Sequence, residues 1–468
     1  MMADRLARLA FWLSLCVAAF VYGVAVVGLQ IFPYDLVRST FITLGEIKQH
    51  ATAKNVGAFL KFSDVERANA ASERIQSVRD SGAEDGFLFF GGQFQFMEHC
   101  PEQGCLAVIY SRSGELVEAY PYRPRDIFES NEATDFPYET IFFDFTRHSN
   151  PLGIERYANG DLLTVFQGQF VFPFGTGVAR VDRDGRPVWF RWDYSHHWPT
   201  LTADEQAIVP GTRIGDAPVA VKMPGWGFRL QCNSGHPYRD TLKVLDPDGG
   251  LRREISVLDA LLDSPYRAVL KQSTDPCDPT HLNYAQQVSD EVADGVDGVT
   301  AGDFLVSLRN ISAFGFIDGA DGRLKRLVRG TFIQQHSVQH LRDAQFLMFD
   351  NLGADAEGGP SRLLLVDLSS GEETTIFPNP RTPAAFRSTF SATGGHVALS
   401  PDRQRAIIAV TRAGRAFEIR LSDGAVLTSF SNLHDVAAVD DLPDKRARFA
   451  GIFRTYGIDY VQMRRQAQ

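Results

Sequence analysis

"LLLVDLSSGEETTIF", residues 363–377, runs from an apolar, strand-forming segment through an Asp–Leu–Ser–Ser–Gly turn into a second strand-forming segment. Two such runs around a glycine-bearing turn predict a β-hairpin. The pattern recurs at 106–120, 178–190, 242–255, 314–328 and 417–430, with turn glycines at Gly114, Gly185, Gly249, Gly322, Gly371 and Gly424. Before five of these hairpins stands another unit: "NGDLLTVFQG" (159–168), "DEQAIVPG" (204–211), "AGDFLVSLRN" (301–310), "DAQFLMFDN" (343–351) and "DRQRAIIAVT" (402–411). Each reads as a turn followed by an inner strand. Six such pairs predict an all-β, six-bladed β-propeller, because a ring buries both faces of every sheet and leaves only short edges. Two packed β-sandwiches are the alternative, but a repeat continuing toward the C-terminus favours the ring. Closure calls for a strand from each end, with "GFLFFGG" (86–92) expected to join the last blade.

Composition agrees with a globular β protein: 44% of the 468 residues are hydrophobic, 22% charged and 11% aromatic. The net charge of −10, without a dense basic block, argues against a nucleic-acid partner. The N-terminus differs from the rest. Residues 9–32 carry no charge and follow Arg5 and Arg8. Roughly 20 apolar residues span a bilayer core. We read residues 1–37 as a transmembrane signal anchor, with cleavage after "VAVVG" the lesser alternative. Arginines before the span keep that end cytoplasmic. The expected location is therefore the bacterial inner membrane, single-pass, with the body in the periplasm. Residues 38–85 have helical spacing and read as a short stalk, through which a membrane-protein partner could bind; 86–468 make the propeller. Four cysteines beyond the anchor form an even set suited to an oxidising compartment. Three pairings are possible. "CPEQGC" suits a local Cys100–Cys105 loop, leaving Cys232 with Cys277; four independent thiols are the alternative.

Three histidine-bearing segments precede successive inner strands: "DYSHHWPTLTAD" (193–204), "DPTHLNY" (278–284) and "IQQHSVQHLRD" (333–343). Aligning the first and third places His197 on His336, each seven residues before an Asp. In a propeller these positions crowd the axis at one mouth, so His197, His281 and His336 are expected to converge. Arg309, at the end of "FLVSLRN", falls beside His281. A guanidinium fork grips tetrahedral oxyanions, which suggests transfer of an anionic group. Zinc also takes three histidines, but a permanent cation opposes a metal, and neither metal nor cofactor is expected. His340 lacks counterparts in the other repeats and reads as structural. His396, in "ATGGHVALSPD", is a candidate fourth imidazole. Arg362 is a candidate substrate contact, though bracing the "FDN" turn through Asp350 or Asn351 is the stronger reading.

In this order, "SHHW", "PTHLNY", "VSLRN", "IQQHS", "MFDN" and "PSRLLLVD" resemble the bacterial aryl-sulfate sulfotransferases of the periplasm, over roughly residues 86–440. The resemblance implies a six-bladed propeller and sulfuryl transfer from an aryl sulfate donor to a phenolic acceptor, without nucleotide or metal. Carried over, His336 is the nucleophile, His281 and Arg309 bind the sulfuryl oxygens, and His197 assists. His196 and Asn283 become further substrate contacts. Trp198 stands where relatives usually have Asp, Tyr284 where they have Ser, and Leu352 where they have Gly. The rival expectation is a catalytically silent propeller acting as an envelope scaffold.

Overall fold

The computed structural model describes residues 2–29, 66–67, 73–90, 99–101, 103–129, 149–168, 175–232, 237–352, 360–435, 450–452 and 455–463. The chain divides into two units, 1–56 with 140–142 and 57–139 with 143–468. The first contains the α-helix Met2–Leu29. Among the described residues no helix is long and apolar enough to cross a membrane. The spanning helix expected over 9–32 is thus not confirmed, and residues 30–37 lie outside the described residues. Most of the expected stalk lies outside them too. Where it is described, Glu66–Arg67 and Ile75–Ser77 are strands, not helix. Ile75 pairs with Phe430, and a tertiary edge partner has overridden local helix propensity there.

The second unit contains the six-bladed propeller. Blade two uses Ser149–Arg156, Leu162–Gly168, Gly175–Val181 and Pro187–Trp192. Blade three uses Thr200–Leu201, Ala207–Ile214, Tyr238–Leu245 and Leu251–Ser256. Blade four uses Leu282–Gln287, Phe304–Leu308, Ala313–Ile317 and Leu324–Val328. Blade five uses His336–Arg342, Gln345–Asp350, Arg362–Asp367 and Glu373–Phe377. Blade six uses His396–Leu399, Arg405–Val410, Arg415–Arg420 and Ala425–Ser431, with Ile75–Ser77 added outside. All six expected hairpins are the outer strand pairs of blades, and all six turn glycines have positive φ, from 69° to 86°.

Two expectations need correction. "GFLFF" does not join the last blade. Gly86–Phe90 opens blade one, pairing with Cys105–Tyr110 and with the C-terminal strand Gly457–Val461, in the order 457–461, 86–90, 105–110, 116–121. The strands read as inner are each blade's second strand. In blades three to six the innermost strands begin at or just after the histidine-bearing segments, and each of these four touches the next. They were overlooked because a strand lining a channel carries polar residues and lacks an apolar run, as in "HSVQHLR" and "LNYAQQ".

The second strands read as unbroken apolar runs because both their faces are buried. Phe346 and Met348 pack toward blade four, whereas Leu347 and Phe349 pack toward blade six. Phe87 and Phe89 likewise face blade six, and Leu88 and Phe90 face blade two. Six apolar clusters, one between each pair of neighbouring blades, hold the ring. Both expected disulfides are present, Cys100–Cys105 and Cys232–Cys277. The second ties the hairpin Val219–Met223 and Trp226–Leu230, inserted between two strands of blade three, to the segment leading into His281.

Candidate active site

His197 lies just before the innermost strand of blade three, His281 just before that of blade four, and His336 starts that of blade five. The propeller therefore delivers three imidazoles to one mouth from segments far apart in sequence. Ring nitrogens of His197, His281 and His336 all lie within 4.8 Å of one another. The His197 ring centroid is 4.8 Å from that of His281 and 6.5 Å from that of His336. His197 and His281 both have left-handed backbone, φ 60° and 50°, as do Gln334 and Ser337 on either side of His336. Such conformations cost non-glycine residues roughly 1–2 kcal/mol each. They recur here at equivalent places in adjacent blades, and strain of this kind clusters at functional sites.

Each ring is held from outside. His281 Nδ1 donates to the Asp278 carboxylate. His336 Nδ1 donates to Asn351 Oδ1 over 2.7 Å. The Nδ1 atoms of His196 and His197 are 2.8 Å apart, and His196 Nε2 lies 3.7 Å from Asp240 Oδ1. Asp240 is almost fully buried and also accepts from the Leu282 backbone N–H. Burial alone would raise its carboxyl, but His196, Thr280 and Leu282 hold it below the usual range. His196 thus couples a buried carboxylate to His197 and does not itself line the cluster.

Burial, with positive neighbours, favours the neutral rings of His197 and His336. Burial, then the Arg309 charge, push His336 down to about 3, against the hydrogen bond to Asn351 and aided by His281. Burial and the neighbouring His281, His196, His336 and Arg309 likewise carry His197 well below its ordinary value. Arg309 follows the second strand of blade four, its backbone N–H donating to the His281 carbonyl over 3.1 Å. Its guanidinium donates to Asn310 Oδ1 and Gln334 Oε1 at 2.7 and 3.2 Å. Burial lowers its own pKa, opposed by Asp278 and Asp275.

The remaining candidates fall outside this cluster. Asn283 is fully buried and donates to the Gln335 carbonyl over 2.7 Å, bracing the residue before His336. His396 starts the innermost strand of blade six, but its ring meets Trp198 and Phe90, at 5.8 and 5.3 Å, rather than the three imidazoles. Burial lowers it to about 4. Arg362 braces the turn through Asp350, as its stronger reading expected, and also donates to Thr375 and Thr331. His340 donates to or accepts from nothing in the cluster; its Nε2 donates to the Asp343 carbonyl over 2.9 Å. Trp198 is buried with its ring edge-to-face with His336 at 6.2 Å. Leu352, at the family's glycine position, has φ 52° and is held by a bond from its N–H to Asp350 Oδ1. Sequence reasoning missed Asp240, Asp278 and Asn351 as ring partners. Only Asp278 left a local signal, three residues before His281.

The three imidazoles could hold a metal ion. Arg309 opposes one, because it adds positive charge beside the rings, and the same charge favours a tetrahedral anion.

A six-bladed propeller with a cationic, histidine-lined mouth defines the class. The sequence profile of the arylsulfotransferase (ASST) family matches residues 154–432, more than half of the chain, and the chain belongs to that family. No curated protein matches it. Among solved structures it is similar to a protein of unknown function from Bacteroides caccae, at 12% identity and a TM-score of 0.47, covering 81% of this chain and 100% of that one. It is also similar to a catalytically inactive virginiamycin B lyase from Staphylococcus aureus bound to quinupristin, at 11% identity and 0.35, covering 61% and 73%. At these scores the structural likenesses carry no argument.

Proposed function

We propose that this chain moves a sulfuryl group from an aryl sulfate to a phenolic acceptor through a sulfohistidine at His336. The observation that carries the reading is the meeting of two buried imidazoles and the half-buried His281 with Arg309 at one mouth. In the first half-reaction His336 Nε2 attacks sulfur, the N–S bond forms and the S–O bond to the aryl group breaks. Arg309 and His281 face the charge gathering on the sulfuryl oxygens, and the aryl group departs as a phenolate that takes its proton from water, with His197, backed by His196 and Asp240, beside it. In the second, the oxygen of an acceptor phenol takes the sulfuryl group as its proton passes to water, the N–S bond breaks and neutral His336 is freed. Covalent capture divides one difficult displacement into two easier ones, and the loose transition state should resemble that of phosphoryl transfer. The chain needs no cofactor for these steps.

We place the propeller in the periplasm of a bacterium, with residues 9–32 anchoring it to the inner membrane. The uncharged run and the two disulfides support this location. The test is incubation with 4-nitrophenyl sulfate and phenol, wild type beside His336→Ala, followed by intact-mass analysis. Nitrophenol release and one sulfuryl adduct on the His336 peptide are expected for the wild type alone. A folded protein silent toward several aryl sulfates would favour the scaffold, and one tightly bound equivalent of zinc would remove this mechanism.

A further inference from the structure

His336 can attack only through a nitrogen that bears a lone pair, and a neutral imidazole has one such nitrogen, chosen by its hydrogen bonds. The choice is made one residue beyond the end of the neighbouring strand. Asn351 is fully buried, and its Nδ2 donates to two backbone carbonyls, Ser391 and Gly394, at 2.8 Å each. Both protons of its amide nitrogen are thereby used, and its orientation is set. Oδ1, an acceptor only, is then the atom that faces His336 Nδ1 at 2.7 Å. The carbonyl of Gly394 is itself held in place. Gly394 and Gly395 have φ 70° and 127°, and a Cβ on Gly395 would lie 2.2 Å from the Phe349 ring.

We infer that Asn351 is a positioning residue that confines the His336 proton to Nδ1 and so commits Nε2, the nitrogen turned from Asn351, to the sulfuryl group. The assignment rests on the sulfohistidine reading for its chemistry, but not for its geometry. Once sulfurylated at Nε2, the ring keeps its Nδ1 proton and carries a positive charge, so the bond to Oδ1 strengthens as the N–S bond forms. An interaction stronger in the transition state than in the ground state accelerates the step.

The test uses the full chain labelled with 15N-histidine. Long-range proton–nitrogen correlation at pH 7, with His336→Gln to assign the signal, is expected to show the Nδ1–H form alone in the wild type. Asn351→Leu removes the acceptor, should mix the two forms, and should slow adduct formation from 4-nitrophenyl sulfate by roughly 10- to 100-fold. Asn351→Asp restores an acceptor, and is expected to keep the Nδ1–H form and recover most of that loss. A wild-type ring protonated on Nε2 would overturn the inference, as would an Asn351→Leu protein reacting within threefold of wild type. If Asn351→Leu does not fold, the wild-type and Asn351→Asp spectra decide. A wild type that forms no adduct yet shows the Nδ1–H form would remove the sulfotransferase reading and leave the tautomer assignment standing.

Discussion

His336 is suited to nucleophilic work because the fold disfavours a second proton on its ring. Burial first and Arg309 second push it down to about 3, so the folded state favours the neutral ring. The sign follows: its contribution to stability is full above the unfolded value of about 6.5 and drains away as pH falls toward 3. Urea midpoints should therefore drop over that window, and less steeply in His336→Asn, as pH-dependent unfolding curves would reveal. Arg309 carries the complementary charge. Replacing it with Met should slow nitrophenol release by roughly 100- to 1000-fold, the usual cost of one transition-state donor. The same change should ease protonation of His336, moving any acid limb of the rate profile to higher pH.

Elements matter here mostly through their ends. The turn after blade five's second strand must supply Asn351, and it does so with Leu352 in the left-handed region. Leu352→Gly should relieve strain worth about 1–2 kcal/mol, less about 0.5–1 kcal/mol of glycine entropy, so a small gain in thermal stability is expected. Gly395→Ala should act oppositely, because its Cβ has no room beside Phe349. The Cys232–Cys277 bridge closes a separation of 45 residues. Replacing both cysteines by Ser should cost about 2–5 kcal/mol, read from chemical unfolding.

The whole molecule depends on joining its first and last blades. The C-terminal strand pairs with Gly86–Phe90, and a buried ion network locks the same seam from the side. Glu418, fully buried, accepts from Arg112, Arg405, Thr428 and Tyr460, while both arginines also reach Asp85. Removing one member leaves buried charge uncompensated, which typically costs about 3–5 kcal/mol. Glu418→Ala should lower the urea midpoint accordingly. It should slow sulfuryl transfer only where unfolding sets in, since Glu418 takes no part in the site.

The six hairpins, their turn glycines, both disulfides and the crowding of His197, His281 and His336 were legible in residue order, because each depends on local turn chemistry or on a repeat. Strand order at the seam was not, since which end completes blade one is decided by long-range pairing. The innermost strands escaped notice for a related reason: residues facing a channel follow no apolar period. The Arg362–Asp350 brace was legible in the "FDN" motif, whereas the packing of His396 against Trp198 and Phe90 was not, because a side chain's partners depend on neighbouring blades. Sequence alone thus determined the ring and the kinds of side chain at its mouth. Tertiary structure decided which nitrogen of each ring is engaged, through Asn351, Asp278 and the His196–Asp240 pair, because hydrogen-bond partners that meet across blades leave no periodic trace in the chain.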